Sequence, residues 1–137
     1  MKKTVSLFLV FIAAVVSVFV VQFLITKLWG FAGVSWGPGN LPVTPAQKIA
    51  MLSTTFLAGL LAPIVAIAIC RKIPWGIICA ICVFGMGIDI FAALAPLASL
   101  PTWFKVAFVV SVPLQVIAGT MIGSGFLLEN KAEAELT

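Results

Sequence analysis

The sequence predicts an all-α fold: a polytopic membrane protein whose chain crosses the bilayer four times as an antiparallel four-transmembrane-helix bundle. Composition is the first reason. Of 137 residues, 63% are hydrophobic and only 9% charged, with a mean hydropathy of +1.27, whereas soluble domains carry about 25% charged residues. A soluble fold of this length has too little interior to hide so much apolar surface. Segment length is the second reason. Apolar stretches run over about Val5–Leu28, Ile49–Cys70, Trp75–Leu97 and Trp103–Leu128, each longer than the ~20 residues that cross a ~30 Å hydrocarbon core as a helix. The third is their pattern. They are continuously apolar, which excludes the alternating ~10-residue strands of a membrane barrel. With flanking residues, helices are expected over 5–28, 45–70, 75–97 and 102–128, within one membrane domain covering 1–137.

The first element begins with Met1-Lys2-Lys3-Thr4, which has the look of a secretory signal. The apolar core of such a signal spans only ~7–15 residues and ends at a small-x-small site. Here the run continues to about Leu28, and Val16-Ser17-Val18 places bulky residues where small ones are needed. An uncleaved first helix is expected.

The connection that follows, 29–44, is the only long one. Its Gly, Pro and Asn residues break helices, and Trp29, Phe31 and Trp36 suit the headgroup layer. Thr44-Pro45-Ala46-Gln47 then marks the start of the second helix. Thr44 fits the N-cap, Pro45 the first helical position and Gln47 the reciprocal capping-box site. The links Arg71–Pro74 and Ala98–Thr102 are short, so the helices they join must run antiparallel. The end of the chain, 129–137, is charged and reads as a solvated or frayed tail. Trp29, Trp36, Trp75 and Trp103 all flank apolar segments, as an aromatic belt requires.

Basic residues set the expected orientation. With the N-terminus inside, Lys2, Lys3, Arg71, Lys72 and Lys131 fall on the cytoplasmic side, and Lys27, Lys48 and Lys105 on the other. That bias places both termini in the cytoplasm of a cell (inner) membrane. The net charge of +4 is spread over helix ends with no basic run, which leaves a nucleic acid no footprint. Without histidine, the chain cannot supply the usual haem or zinc-histidine ligands or a Ser-His-Asp triad. No metal, cofactor or catalytic set is expected.

Asp89 demands an explanation. It lies well within the third segment, where a carboxylate costs several kcal/mol unless neutralised, paired or hydrated. Cys82, Gly85, Asp89, Ala92, Ala93 and Pro96 share one helical face of small residues, so Asp89 is expected to face protein, not lipid. Gln22, Thr54, Thr55, Ser111 and Gln115 fall at similar depth on the other helices, within a layer roughly 9–18 Å from the outer surface at ~1.5 Å per residue. Pro63 and Pro113 release the Gly59 and Val109 carbonyls near this layer, because proline lacks the N–H that would bond them. Three readings stand side by side: a proton- or cation-binding site, a hydrogen-bonded lock between helices, or a contact with another chain.

Two further patterns are weaker. Cys79-Ala80-Ile81-Cys82 is a CxxC, with Cys70 nearby. It sits on the expected cytoplasmic side without a second pair in an outer loop, so small apolar packing explains it better than redox chemistry. Gly119-Thr120-Met121-Ile122-Gly123 is a GxxxG, and Ala58, Ala62 and Ala66 form a small-residue ladder. Both are packing faces, toward the bundle or toward another subunit. The partners expected are the lipid bilayer and other membrane subunits or further copies of this chain. Two functions remain: a non-catalytic subunit packed within a larger membrane assembly, or a small oligomeric transporter or channel with Asp89 as its proton- or cation-coupling residue.

Overall fold

The computed structural model describes residues 2–36 and 41–136, and side chains over 6–36 and 41–129. Residues 37–40 of the first loop and the side chains of Lys2, Lys3 and Lys131 lie outside the described residues. Among the described residues all regular structure is helical: α1 Lys2–Phe31, α2 Pro45–Cys70, α3 Trp75–Leu94 and α4 Thr102–Leu136. Each helix is long and apolar enough to cross a membrane, and the chain is a multi-pass membrane protein.

The ends of α2 follow local chemistry. The Gln47 N–H donates to Thr44 Oγ1 at 3.2 Å, and the Thr44 N–H donates to Gln47 Oε1 at 2.9 Å. This is the reciprocal cap expected of Thr-Pro-Ala-Gln. Gln47 Nε2 also donates to the Ser35 carbonyl, so one side chain ties the loop to the helix it caps. At the other end Arg71 takes a left-handed conformation, φ 51°, and its N–H reaches the Ile67 carbonyl. That bond closes the last turn and turns the chain toward α3.

Four boundaries differ from the sequence expectation. α1 runs from Lys2 to Phe31 rather than over 5–28, so its last turn takes in Trp29 and Phe31 of the expected loop. α3 stops at Leu94, three residues short of Leu97. Pro96 is the cause: it disfavours helical geometry at Ala95 and has no N–H to extend the ladder. At the other extreme, α4 does not stop at 128. Its backbone stays helical to Leu136, 35 residues in all, or about 52 Å at ~1.5 Å per residue. The expected tail is therefore a helical continuation of the backbone beyond the apolar run that ends at Leu128.

Packing does not simply follow chain order. α2 is the central helix, with α1 along one side and α4 along the other, while α3 packs chiefly on α4 despite its short link to α2. Around the bundle the order is α1–α2–α4–α3, and the closing seam between α1 and α3 is narrow. Across that seam, at the middle of α3, Phe84 meets Phe11 of α1 edge-on at 5.7 Å.

The small residues decide how closely α2 and α4 approach. Gly119 of α4 lies against the Leu60 backbone, and Gly123 lies against Ile64 and Ile67. A side chain at Gly119 would overlap the Leu60 carbonyl oxygen. The GxxxG face therefore looks into the bundle, and Ala58, Ala62 and Ala66 are buried as well. Packing toward the end that carries the α2–α3 link is completed by an apolar cluster that includes Val10, Ala14, Ala66, Ile67, Ile78 and Val116. A second cluster, Leu97, Phe104 and Phe108, closes the opposite end.

Candidate functional site

Between these two clusters lies a cavity of about 290 Å³ to which all four helices contribute. Its polar lining is Gln22 from α1, Thr55 from α2, Asp89 from α3 and Gln115 from α4. Four of the six residues singled out in the sequence are thus brought together. Thirteen of the seventeen lining residues are apolar or glycine, including Phe19, Phe84 and Phe108. None is basic.

Asp89 reaches the cavity from the small face of α3, with Gly85 and Ala92 beside it in the lining. It is only 8% exposed. Because α3 ends at Leu94, Asp89 lies five residues from the helix end, about 7.5 Å at ~1.5 Å per residue. That is shallower than a helix reaching Leu97 would place it. Its Oδ2 is buried and has no hydrogen-bond partner among the described residues. No hydrogen bond from another helix reaches this atom among the described residues.

Gln115 is held in place. Its Nε2 donates to Ser111 Oγ at 2.7 Å, and that hydroxyl donates to the Phe108 carbonyl of the same helix at 2.7 Å. Ser111 is therefore a support for Gln115 rather than part of the cavity wall. The carboxamide oxygen of Gln115 is turned toward α2, where the absent side chain of Gly59 makes room for it. Pro63, one turn further along α2, also leaves the Gly59 carbonyl without its usual helical donor.

The adjacent threonines of α2 part company. Thr54 Oγ1 donates to the Ala50 carbonyl at 2.6 Å, so its hydroxyl is satisfied by its own helix. Thr55 Oγ1 is buried with no such partner, and it lines the cavity with Asp89. Thr54 faces instead a smaller chamber of about 190 Å³, shared with Gln22, Thr26, Met51 and Trp36. Gln22 borders both spaces. It stands between the chamber lined by Trp36 of the α1–α2 loop and the cavity lined by Asp89.

Several residues of this region escape the sequence reading. Trp36 reads as a belt anchor, yet its indole Nε1 is buried without a partner beside the chamber. Trp75 and Trp103, by contrast, are exposed as a belt requires. Gly59 carries a legible signal in its position four residues before Pro63. Phe108 lies seven residues before Gln115, hence on its face, but an aromatic residue in an apolar segment announces nothing by itself. The expected CxxC lies elsewhere. Cys79 is exposed, Cys70 and Cys82 are partly buried, and all three are free thiols. No family model, curated protein or solved structure matches this chain.

Proposed function

We propose that this protein binds a cation within its transmembrane bundle, with Asp89 as the charge-bearing group, and works as a small transporter or channel. One observation carries the reading: a buried carboxylate oxygen without a partner among the described residues borders a cavity whose described lining holds no basic residue. An ionised carboxylate in hydrocarbon costs several kcal/mol unless it is compensated. The bundle offers Asp89 no counter-charge there, and a bound cation supplies one. Gln22 and Thr55 add oxygen acceptors around it, with Gln115, held by Ser111, completing the polar wall and Thr54 facing the access chamber. Both termini are taken to lie in the cytoplasm of a cell membrane, so that the Gln22 chamber opens outward.

A second reading keeps the chain as a small subunit of a larger membrane assembly, or as one copy of a homo-oligomer. It is favoured by the narrow α1–α3 seam, along which Phe19, Phe84 and Ile88 of the cavity wall stay about half exposed. A helix of another chain could cover that seam. Its other support has weakened, because the GxxxG and alanine faces pack α2 against α4.

Charge selectivity tests the cation reading without a known ligand. Thr55→Cys would be introduced into a chain lacking Cys70, Cys79 and Cys82, reconstituted in nanodiscs. Its rates with a trimethylammonium and a sulfonate methanethiosulfonate would each be normalised to a free thiol. The cationic reagent should react at least about tenfold faster, a bias worth ~1.4 kcal/mol, and Asp89→Asn should abolish that bias. Equal rates in the Asp89 protein would remove the proposal. Co-purification of an obligate partner in mild detergent would favour the subunit reading instead.

A further inference from the structure

Resting on the cation reading, we infer that the site is built for an organic ammonium with a compact hydrocarbon body, not for a bare metal ion. The cavity itself argues this. A hard cation such as calcium or magnesium needs six or more oxygen ligands arranged closely around it. The lining carries polar side chains at only four positions, one from each helix. Gln115 is already committed on its nitrogen to Ser111, and its oxygen is turned toward Gly59. An inorganic ion in this space would face hydrocarbon over most of its surface and lose its hydration without replacement.

An ammonium attached to a small hydrocarbon has the complementary distribution. Its N–H groups can donate to Asp89 Oδ2 and Thr55 Oγ1, the two buried lining atoms without a hydrogen-bond partner. Its body would occupy the apolar part of the wall. There Phe19, Phe84 and Phe108 offer dispersion contact and, where a ring face is turned inward, attraction to the positive charge. The volume, about 290 Å³, lies at the lower edge of the ~300–1,000 Å³ typical of small-molecule sites. That suits an amine with a single ring and disfavours a larger, multi-ring cation.

The same distribution assigns the roles within the site. Asp89 supplies selection for positive charge, Thr55 supplies a second polar contact, and the phenylalanines select against a strongly hydrated ion. Gln22 stands between the cavity and the smaller chamber, on the polar side from which a charged ligand would arrive.

Isothermal titration of the full chain in nanodiscs would test this with phenethylammonium as the probe. Phenethyl alcohol, phenylacetate, sodium and magnesium serve as comparators. Phenethylammonium should bind at least tenfold tighter than any comparator, and Asp89→Asn should remove at least tenfold of that affinity. Ala62→Leu, which fills part of the cavity wall, should weaken phenethylammonium while leaving the charge bias at Thr55→Cys in place. Helical content and melting of each variant would be checked by circular dichroism. Asp89-dependent binding of sodium or magnesium without phenethylammonium would overturn the organic class and leave the cation site standing. Equal binding of phenethyl alcohol would overturn the class as well, by showing a pocket that reads only hydrocarbon. Absence of any Asp89-dependent binding, together with unbiased thiol modification, would overturn both.

Discussion

Gln115 of α4 faces Gly59 of α2 with no room between them: a methyl group on Gly59 would overlap the Gln115 carboxamide oxygen. The contact joins the two most intimately packed helices at the cavity wall. It also explains why a glycine is tolerated mid-helix, where it otherwise weakens the backbone. Because Gln115 is tethered through its nitrogen to Ser111 at 2.7 Å, it cannot move aside without breaking that bond.

Gly59→Ala is therefore expected to destabilise the bundle by about 1–3 kcal/mol, the usual range for overpacking. In a Gln115→Ala background the same change should be nearly neutral, since the obstructing side chain is gone. Unfolding in mixed micelles, read as a double-mutant cycle, measures the coupling. An identical loss in both backgrounds would show that the two residues do not meet.

The GxxxG face gives a second expectation. Gly119→Leu should lower the unfolding midpoint sharply, because the new side chain meets the Leu60 backbone and Pro63. Backbone cannot yield as a flexible side chain can. Gly87→Ala and Gly125→Ala, where a Cβ meets nothing within 4 Å, should not destabilise and should raise stability by up to about 1 kcal/mol, since Ala favours a helix over Gly. If Gly119→Leu left unfolding unchanged and altered only the oligomeric state, the face would belong to another subunit.

The cysteines supply a third. Replacing Cys70, Cys79 and Cys82 together by Ala should preserve folding and the Asp89-dependent binding, since all three are free thiols outside the cavity lining. Loss of binding from the Cys79 and Cys82 changes alone would revive a redox role. In that background, single cysteines at the exposed positions Ser35 and Glu129 should be labelled by an impermeant maleimide from opposite sides of sealed vesicles. Ser35 is expected to face outward. Labelling of both from one side contradicts four crossings, and labelling on exchanged sides reverses the orientation.

The number of helices, the cap at Thr44 and the protein-facing setting of Asp89 were all readable from the chain, because each depends on neighbours in sequence. Hydropathy over ~20 residues is a property of a segment alone. A capping box involves four consecutive residues, and a small face is visible from helical periodicity. Local readings failed where an end depended on one competing residue or on continuation through polar sequence. Pro96 ended α3 early, and charged residues did not end α4.

What only the tertiary structure decided is which faces meet. Periodicity shows that Gly119 and Gly123 share a side, but not that α2 rather than another subunit lies against them. Depth counting put Thr54 and Thr55 in one layer, yet their side chains diverge by a helical step. One bonds to its own backbone beside the small chamber, and the other joins Gln22, Asp89 and Gln115 around the larger cavity. The physical reason is that a membrane helix is apolar on nearly every side. Its rotation about its own axis is therefore set weakly by the solvent and strongly by close packing of small residues against a particular neighbour.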